Sequence, residues 1–161
     1  YRTELFNFIR FPEGEVFEDT YITPILYESA YNVYYSDCGF YYYYKNEGSI
    51  STSYSFKSQY FLYKNTVSLY DKVNDTYKMR DEAKDILLNS LDRLTDLHRC
   101  SDGKKEEYAR ARRMLKGKKI AINELFQMNI PPAQKAKYII FSLFGVRAHC
   151  CIFSLLKKKL C

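Results

Sequence analysis

The chain has 161 residues, 47% of them hydrophobic and 27% charged, which fits one packed domain and excludes a wholly disordered chain. Its net charge of +6 is uneven, because residues 1–60 carry four Lys and Arg against eight Asp and Glu, whereas residues 61–161 carry 21 against 11. The basic part therefore predicts an anionic partner such as nucleic acid, lipid headgroups or a phosphorylated substrate.

The first informative segment, residues 11–31, combines a turn with a helix. Pro12 and Gly14 favour a tight turn, and Asp19 or Thr20 stands where a helix cap is expected, ahead of a helix over 21–31. A carboxylate at the positive end of a helix can be held ionised, and an ionised carboxylate in a cleft can act as a general base towards a hydroxyl. From these residues alone, the simpler interpretation is that Asp19 only caps the helix.

The next segment is rich in tyrosine and predicts a β-hairpin. Residues 32–35 and 39–44 have high strand propensity, and Ser36-Asp37 between them favours a turn. Tyr42 or Tyr44 is a candidate for stacking against the face of a sugar ring. The alternative is that these tyrosines divide between core and surface.

These two segments together resemble the family-2 glycosyltransferases, which are inverting enzymes of the GT-A fold. The matching stretches are RFPEGEVFEDTYITPILYESA and NVYYSDCGFYYYYKNEGSIST. The resemblance implies that Asp19 is the catalytic base and that Glu18 helps to shape the acceptor pocket. It also implies that Lys45 and Ser49 belong to a loop near the donor diphosphate, although many members of the family have an Arg about where Asn46 stands.

The resemblance also implies a reaction and its requirements. A sugar, typically a hexose, passes from a nucleotide-sugar to a hydroxyl of a saccharide or lipid-linked saccharide with inversion, in surface polysaccharide synthesis. The donor-binding half, with an Asp-Xaa-Asp motif that holds Mg²⁺ or Mn²⁺, is expected before residue 1. No cofactor or metal ligand is therefore expected in this chain, and the isolated 161 residues are expected to be inactive.

From about residue 54 the apolar residues recur at helical spacing. The expected fold class is α+β, with the C-terminal portion of a GT-A domain, including a small antiparallel hairpin, followed by a helical region. We therefore expect an acceptor-side part over residues 1–53 and a helical C-terminal region over residues 54–161.

The C-terminal residues 133–161 are apolar with a basic end, and Gly145-Val-Arg147 interrupts them. This pattern favours a helix on a membrane surface over a spanning helix, and the alternative is a helix packed on the domain. Glu106-Glu107 interrupts the basic stretch 104–119, so we expect no nucleic-acid partner.

Five Cys without a CxxC pair indicate a reducing environment. This environment predicts a cytoplasmic protein, and the resemblance implies a position at the inner face of the cell membrane. The alternative function is a non-catalytic helical module that binds a membrane surface or an acidic partner.

Overall fold

The computed structural model describes residues 1–39, 41, 42, 44, 46, 49 and 54–158, the last five of these without their side chains. In this part of the chain the regular elements are helices. A 3-10 turn, Thr3–Phe6, precedes the first α-helix, and a π-helical turn, Lys72–Thr76, joins the second to the third. The α-helices are α1 (Glu18–Ser29), α2 (Phe56–Asp71), α3 (Arg80–Arg99), α4 (Lys105–Met114), α5 (Ile122–Gln127) and α6 (Pro132–Lys158).

Helix α2 begins at a capping box. The Ser58 backbone N–H donates to Ser55 Oγ at 3.1 Å, and the Ser55 N–H donates back to Ser58 Oγ at 3.1 Å. Two backbone donors that the helix itself leaves unpaired are satisfied in this way. The start of α2 is therefore specified locally, by two serines three positions apart.

Helix α3 forms the centre of the molecule. Its fully buried apolar side chains recur every three or four residues, at Ala83, Leu87, Leu91, Leu94 and Leu97. Helices α2, α4 and α6 all pack against α3, and their buried apolar residues join this cluster. Each buried Leu contributes roughly 1.5–3 kcal/mol relative to an exposed one. The stability of the helical region therefore depends mainly on α3.

Two buried tyrosines connect the outer helices to this core. The hydroxyl of Tyr63, on α2, donates to the carbonyl of Ala111 on α4 at 2.9 Å. The hydroxyl of Tyr138, on α6, accepts from the backbone N–H of Ile120 ahead of α5. Both side chains are fully buried, and burial raises the pKa of each phenol. Each phenol therefore stays protonated and fixes the position of one helix relative to another.

Helix α6 is a hairpin of two helical arms. Gly145 interrupts the helix with φ 77° and ψ 177°, a conformation that is essentially restricted to glycine. The first arm runs from Pro132 to Phe144 and the second from Val146 to Lys158. Proline suits the first position of a helix because its missing N–H has no helical partner there.

Side-chain contacts confirm that the second arm folds back on the first. His149 Nδ1 lies 3.0 Å from the carbonyl oxygen of Lys137, and Lys137 Nζ lies 5.7 Å from the ring centroid of Phe153. In a continuous helix, the twelve positions between Lys137 and His149 would span about 18 Å, beyond the reach of an imidazole.

The predicted α+β class is wrong for the residues that the structure describes, because none of them belongs to a strand. The predicted first strand, 32–35, has no regular secondary structure. The second, 39–44, lies partly outside the described residues. Tyr34, Tyr35 and Tyr41 are more than 80% exposed. Their high strand propensity therefore does not lead to a strand, because no buried face stabilises one at these residues. A two-stranded hairpin without a covered face is only marginally stable in water.

The conformation of Gly145 can be tested by adding a single methyl group. A Cβ at this position would meet no atom within 4 Å, so the cost of Gly145→Ala comes from the backbone alone. We expect the free energy of unfolding to fall by about 1–3 kcal/mol in urea denaturation. Gly39→Ala is the matched control, since Gly39 also has open space around it but no positive φ. Equal effects of the two substitutions would contradict the hairpin geometry.

Acid should destabilise the hairpin through His149. Since the Lys137 carbonyl can only accept, Nδ1 carries the proton and an added proton must go to Nε2, a buried atom without a hydrogen-bond partner among the described residues. Burial therefore lowers the pKa of His149. Because the unfolded value is about 6.5, the unfolded chain binds more protons just below that pH, and the free energy of unfolding should decrease from about pH 7 to about pH 5.

Urea denaturation at several pH values measures this dependence. His149→Gln should weaken it. A decrease with falling pH that is the same in His149→Gln and in the unsubstituted chain would show that His149 is not its cause.

Candidate functional site

The first turn of α1 presents the candidate base. Asp19 is exposed, and its Oδ1 accepts the backbone N–H of Thr20 at 2.8 Å. The helix begins at Glu18 with Phe17 as its cap residue, so the prediction that Asp19 or Thr20 caps the helix is wrong. Asp19 instead lies inside the first turn, where the positive end of the helix dipole stabilises a carboxylate. One carboxylate oxygen is engaged with the backbone, and the side chain remains open to solvent.

The residue before α1 has an unusual backbone. Phe17 has φ 58° and ψ 35°, the left-handed conformation that bulky side chains rarely adopt. A buried amide holds this turn, because Asn65 on α2 donates through Nδ2 to the Phe17 carbonyl at 3.1 Å. Only 1% of the Asn65 surface is exposed. The direction in which α1 leaves the loop is therefore set by a buried residue of α2.

Ion pairs attach α1 to α2 at both ends. Lys64, next to Asn65, pairs with Glu15 in the loop before α1. Two turns further on, Lys72 at the start of the π-helical turn that follows α2 pairs with Glu28 near the end of α1, and its hydrogen bond lowers the pKa of the Glu28 carboxyl. Ile22 and Leu26, the buried residues of α1, lie between these two attachments. The helix that carries Asp19 is thus fixed along its length.

The structure describes two of the other three predicted site residues. Glu18 is half-buried in the same turn. Ser49 is also half-buried, and its N–H donates to the Asn46 carbonyl at 3.2 Å, which closes a tight turn. Lys45 lies outside the described residues. The predicted donor-side loop is therefore represented here by the turn at Ser49 alone.

A small groove runs between α1 and α2 beside the candidate base. It has a volume of about 130 Å³, and its polar lining includes Thr20, Asn65 and Ser68. Asn65 Nδ2 donates to the Phe17 carbonyl, whereas Oδ1 of the same side chain has no hydrogen-bond partner among the described residues. The groove is therefore lined by an unused acceptor. The groove begins one residue after Asp19, although Asp19 itself does not line it.

A larger open cleft of about 570 Å³ lies at the other end of α1. Tyr27, Tyr31 and Tyr34 line it together with Arg2. Tyr31 and Tyr34 are 99% and 89% exposed, so the cleft is an aromatic surface rather than an enclosed pocket. Exposed tyrosines beside an arginine can stack on a sugar ring and hydrogen-bond to its hydroxyls, and they can equally pack against protein.

Large exposed aromatic side chains are concentrated before residue 55. They include Tyr1, Phe8, Phe11, Tyr21, Tyr27, Tyr31, Tyr34, Tyr35, Tyr41, Tyr42, Tyr44 and Tyr54. Among the described residues of the same range, the buried hydrophobic ones are Ile22 and Leu26, and both belong to α1. Exposed apolar surface on this scale typically marks a binding surface.

Comparison of the chain with protein-family models, with curated proteins and with solved structures finds no match.

Lys64 and Asn65 were not predicted to belong to the site. The only signal in the sequence is a polar pair within the apolar pattern of α2, and such a pair is ordinarily part of a solvated face. A contact 48 positions away, between Asn65 and Phe17, has no local signature in a single sequence.

Removing the Asn65 amide should loosen the loop ahead of α1. Asn65→Ala leaves the Phe17 carbonyl without this donor and empties a buried site, so we expect a loss of about 1–3 kcal/mol in urea denaturation. A Glu-specific protease should also cut faster at Glu13 or Glu15. Lys57→Ala, at an exposed position of the same helix, is the control. Unchanged proteolysis in Asn65→Ala would contradict a positioning role for Asn65.

Proposed function

We propose that this chain supplies the acceptor side of an inverting glycosyltransferase and that Asp19 is its general base. The observation that carries the proposal is the presentation of Asp19. An exposed carboxylate stands in the first turn of a helix whose preceding loop is held in a strained conformation by buried Asn65. Strained backbone that its surroundings stabilise is concentrated at functional sites.

The proposed reaction is a single displacement. An Asp19 carboxylate oxygen takes the proton of an acceptor hydroxyl as the hydroxyl oxygen attacks the anomeric carbon of the nucleotide-sugar. The bond from that carbon to the diphosphate oxygen breaks, and the nucleoside diphosphate leaves with the electron pair. Because attack and departure occur on opposite faces, the anomeric configuration inverts. A positioned base of this kind typically contributes about 10²–10⁴-fold to the rate.

The proposal assigns the donor and its metal ion to protein outside this chain. When bound, Mg²⁺ or Mn²⁺ neutralises charge on the departing diphosphate. Among the described residues, no group of three His, Cys, Asp or Glu side chains is placed to hold such an ion. Because the proposal assigns the donor and its ion to protein outside this chain, we expect the isolated chain to be inactive.

The aromatic surface before residue 55 fits this assignment in two ways. Part of it can pack against a donor-binding half, which would cover aromatic side chains that are exposed here. The cleft at Tyr27 and Tyr31 can hold further sugar rings of a saccharide or lipid-linked saccharide acceptor. These roles suit an enzyme of surface polysaccharide synthesis.

Replacing one carboxylate oxygen of Asp19 by an amide nitrogen tests its role as the base. In the full-length protein, Asp19→Asn should lower transfer at least about 10²-fold, because an amide cannot take the proton. The assay measures nucleoside diphosphate release from a panel of UDP-, GDP- and dTDP-sugars, with lipid extract of the source cells as acceptor. Binding of the donor should not change.

Asp37→Asn is the matched control, since Asp37 is also an exposed carboxylate in the first third of the chain. Its transfer rate should stay near that of the unsubstituted enzyme. Full transfer by Asp19→Asn would exclude Asp19 as the base. Absence of donor binding by the unsubstituted full-length protein, across the whole panel, would instead favour a non-catalytic helical module.

A further inference from the structure

The turn of the α6 hairpin carries exposed apolar side chains. Leu143 and Phe144 come directly before Gly145 and are 63% and 68% exposed. We call these three residues the hairpin tip. Arg147 is exposed immediately after the tip, and Ile152 on the second arm is 40% exposed. Apolar residues at the end of a protruding turn are poorly placed to reach the core of their own domain.

The same hairpin cannot cross a bilayer as one helix. By length and composition, Pro132–Phe153 is the one helical stretch among the described residues that is long and apolar enough to do so. However, the backbone turns at Gly145, and the first arm is only about 20 Å long at 1.5 Å per residue. A hydrocarbon core is about 30 Å thick. The apolar character of this segment is therefore divided between inward contacts on α3 and the exposed tip.

The charged residues of the hairpin's own sequence have one sign. Residues 125–161 contain no Asp or Glu, and they contain six cations: Lys135, Lys137, Arg147, Lys157, Lys158 and Lys159. Lys137 is paired with Asp92 of α3 at 2.8 Å. Arg147 lies two residues from the exposed tip. An acid-free stretch that joins an apolar turn to basic residues complements a surface that is apolar inside and anionic outside.

We propose that the hairpin tip inserts into the interfacial region of an anionic phospholipid bilayer. Leu143 and Phe144 enter the boundary between headgroups and acyl chains, and Arg147 lies at the level of the phosphates. The two arms stay on the protein, because Tyr138, Phe141, His149 and Cys150 are buried. This membrane contact is independent of the proposed transferase function, and it would hold α3 and the helices packed on it close to the lipid surface.

The absence of tryptophan in the 161-residue chain gives a direct test. Phe144→Trp introduces a single tryptophan at the tip, and its fluorescence can be excited selectively over that of the 17 tyrosines. With vesicles of phosphatidylglycerol and phosphatidylcholine, its emission should shift to the blue and be quenched by brominated acyl chains. Phe126→Trp is the matched control, because Phe126 of α5 is 60% exposed but lies away from the tip, beside Lys135. Its emission should not change.

Vesicle sedimentation measures the affinity. Replacing Leu143 and Phe144 together by Asp should weaken binding about tenfold or more, whereas Phe126→Asp should have little effect. Both positions are exposed, so the thermal unfolding temperature should be nearly unchanged, and circular dichroism checks this. Binding should fall with added salt and should be weaker to pure phosphatidylcholine.

Several results would overturn the proposal. Equal quenching of Phe144→Trp and Phe126→Trp would exclude insertion at the tip, as would undiminished sedimentation of the double Asp variant. Concentration-dependent self-association without vesicles, lost in the double variant, would assign the tip to contact between copies of the chain. Sedimentation unaffected by salt or by lipid charge would exclude an anionic bilayer as the specific partner.

Discussion

The apolar face of α3 determines where the other helices lie. Leu87, Leu91 and Leu94 are almost completely buried, and α2, α4 and α6 each cover part of the same face. The buried hydroxyls of Tyr63 and Tyr138 then fix how these helices are oriented. Burial supplies the main stabilisation, whereas the two hydrogen bonds select one arrangement among several that would bury a similar area.

The candidate site depends on this core through α2. One face of α2 packs on α3, and Lys64, Asn65 and Lys72 hold α1 from another side of the helix. The strained turn at Phe17 persists because Asn65 is itself immobilised by burial. A change in the packing of α2 would therefore reach Asp19 without any direct contact. The helix that carries Asp19 is therefore positioned by α2, although the part of the chain around Asp19 has few buried apolar residues.

The sequence predicted some features of this structure because their causes are local. The helical spacing of apolar residues from about residue 54 acts within a few residues, and so does the interruption of the apolar stretch at Gly145. The β-hairpin was wrong because strand propensity needs a covered face to take effect, and Tyr34, Tyr35 and Tyr41 are exposed. The Asn65–Phe17 contact could not be predicted, since it joins residues 48 positions apart. The chemical role of Asp19 was predicted from the resemblance, because an acidic residue at the start of a helix is by itself equally consistent with a structural role.

The exposed residues before residue 55 and those of the hairpin tip differ in what they can contact. Before residue 55 the exposed side chains are mostly tyrosines in an acidic part of the chain, and tyrosine hydroxyls suit protein or sugar contacts better than lipid hydrocarbon. At the hairpin tip, Leu143 and Phe144 carry no polar atom, and the surrounding stretch is basic and free of acids. An anionic bilayer would attract the second surface and repel the first. Binding at the tip would therefore leave the α1 region free to contact soluble or headgroup-linked ligands.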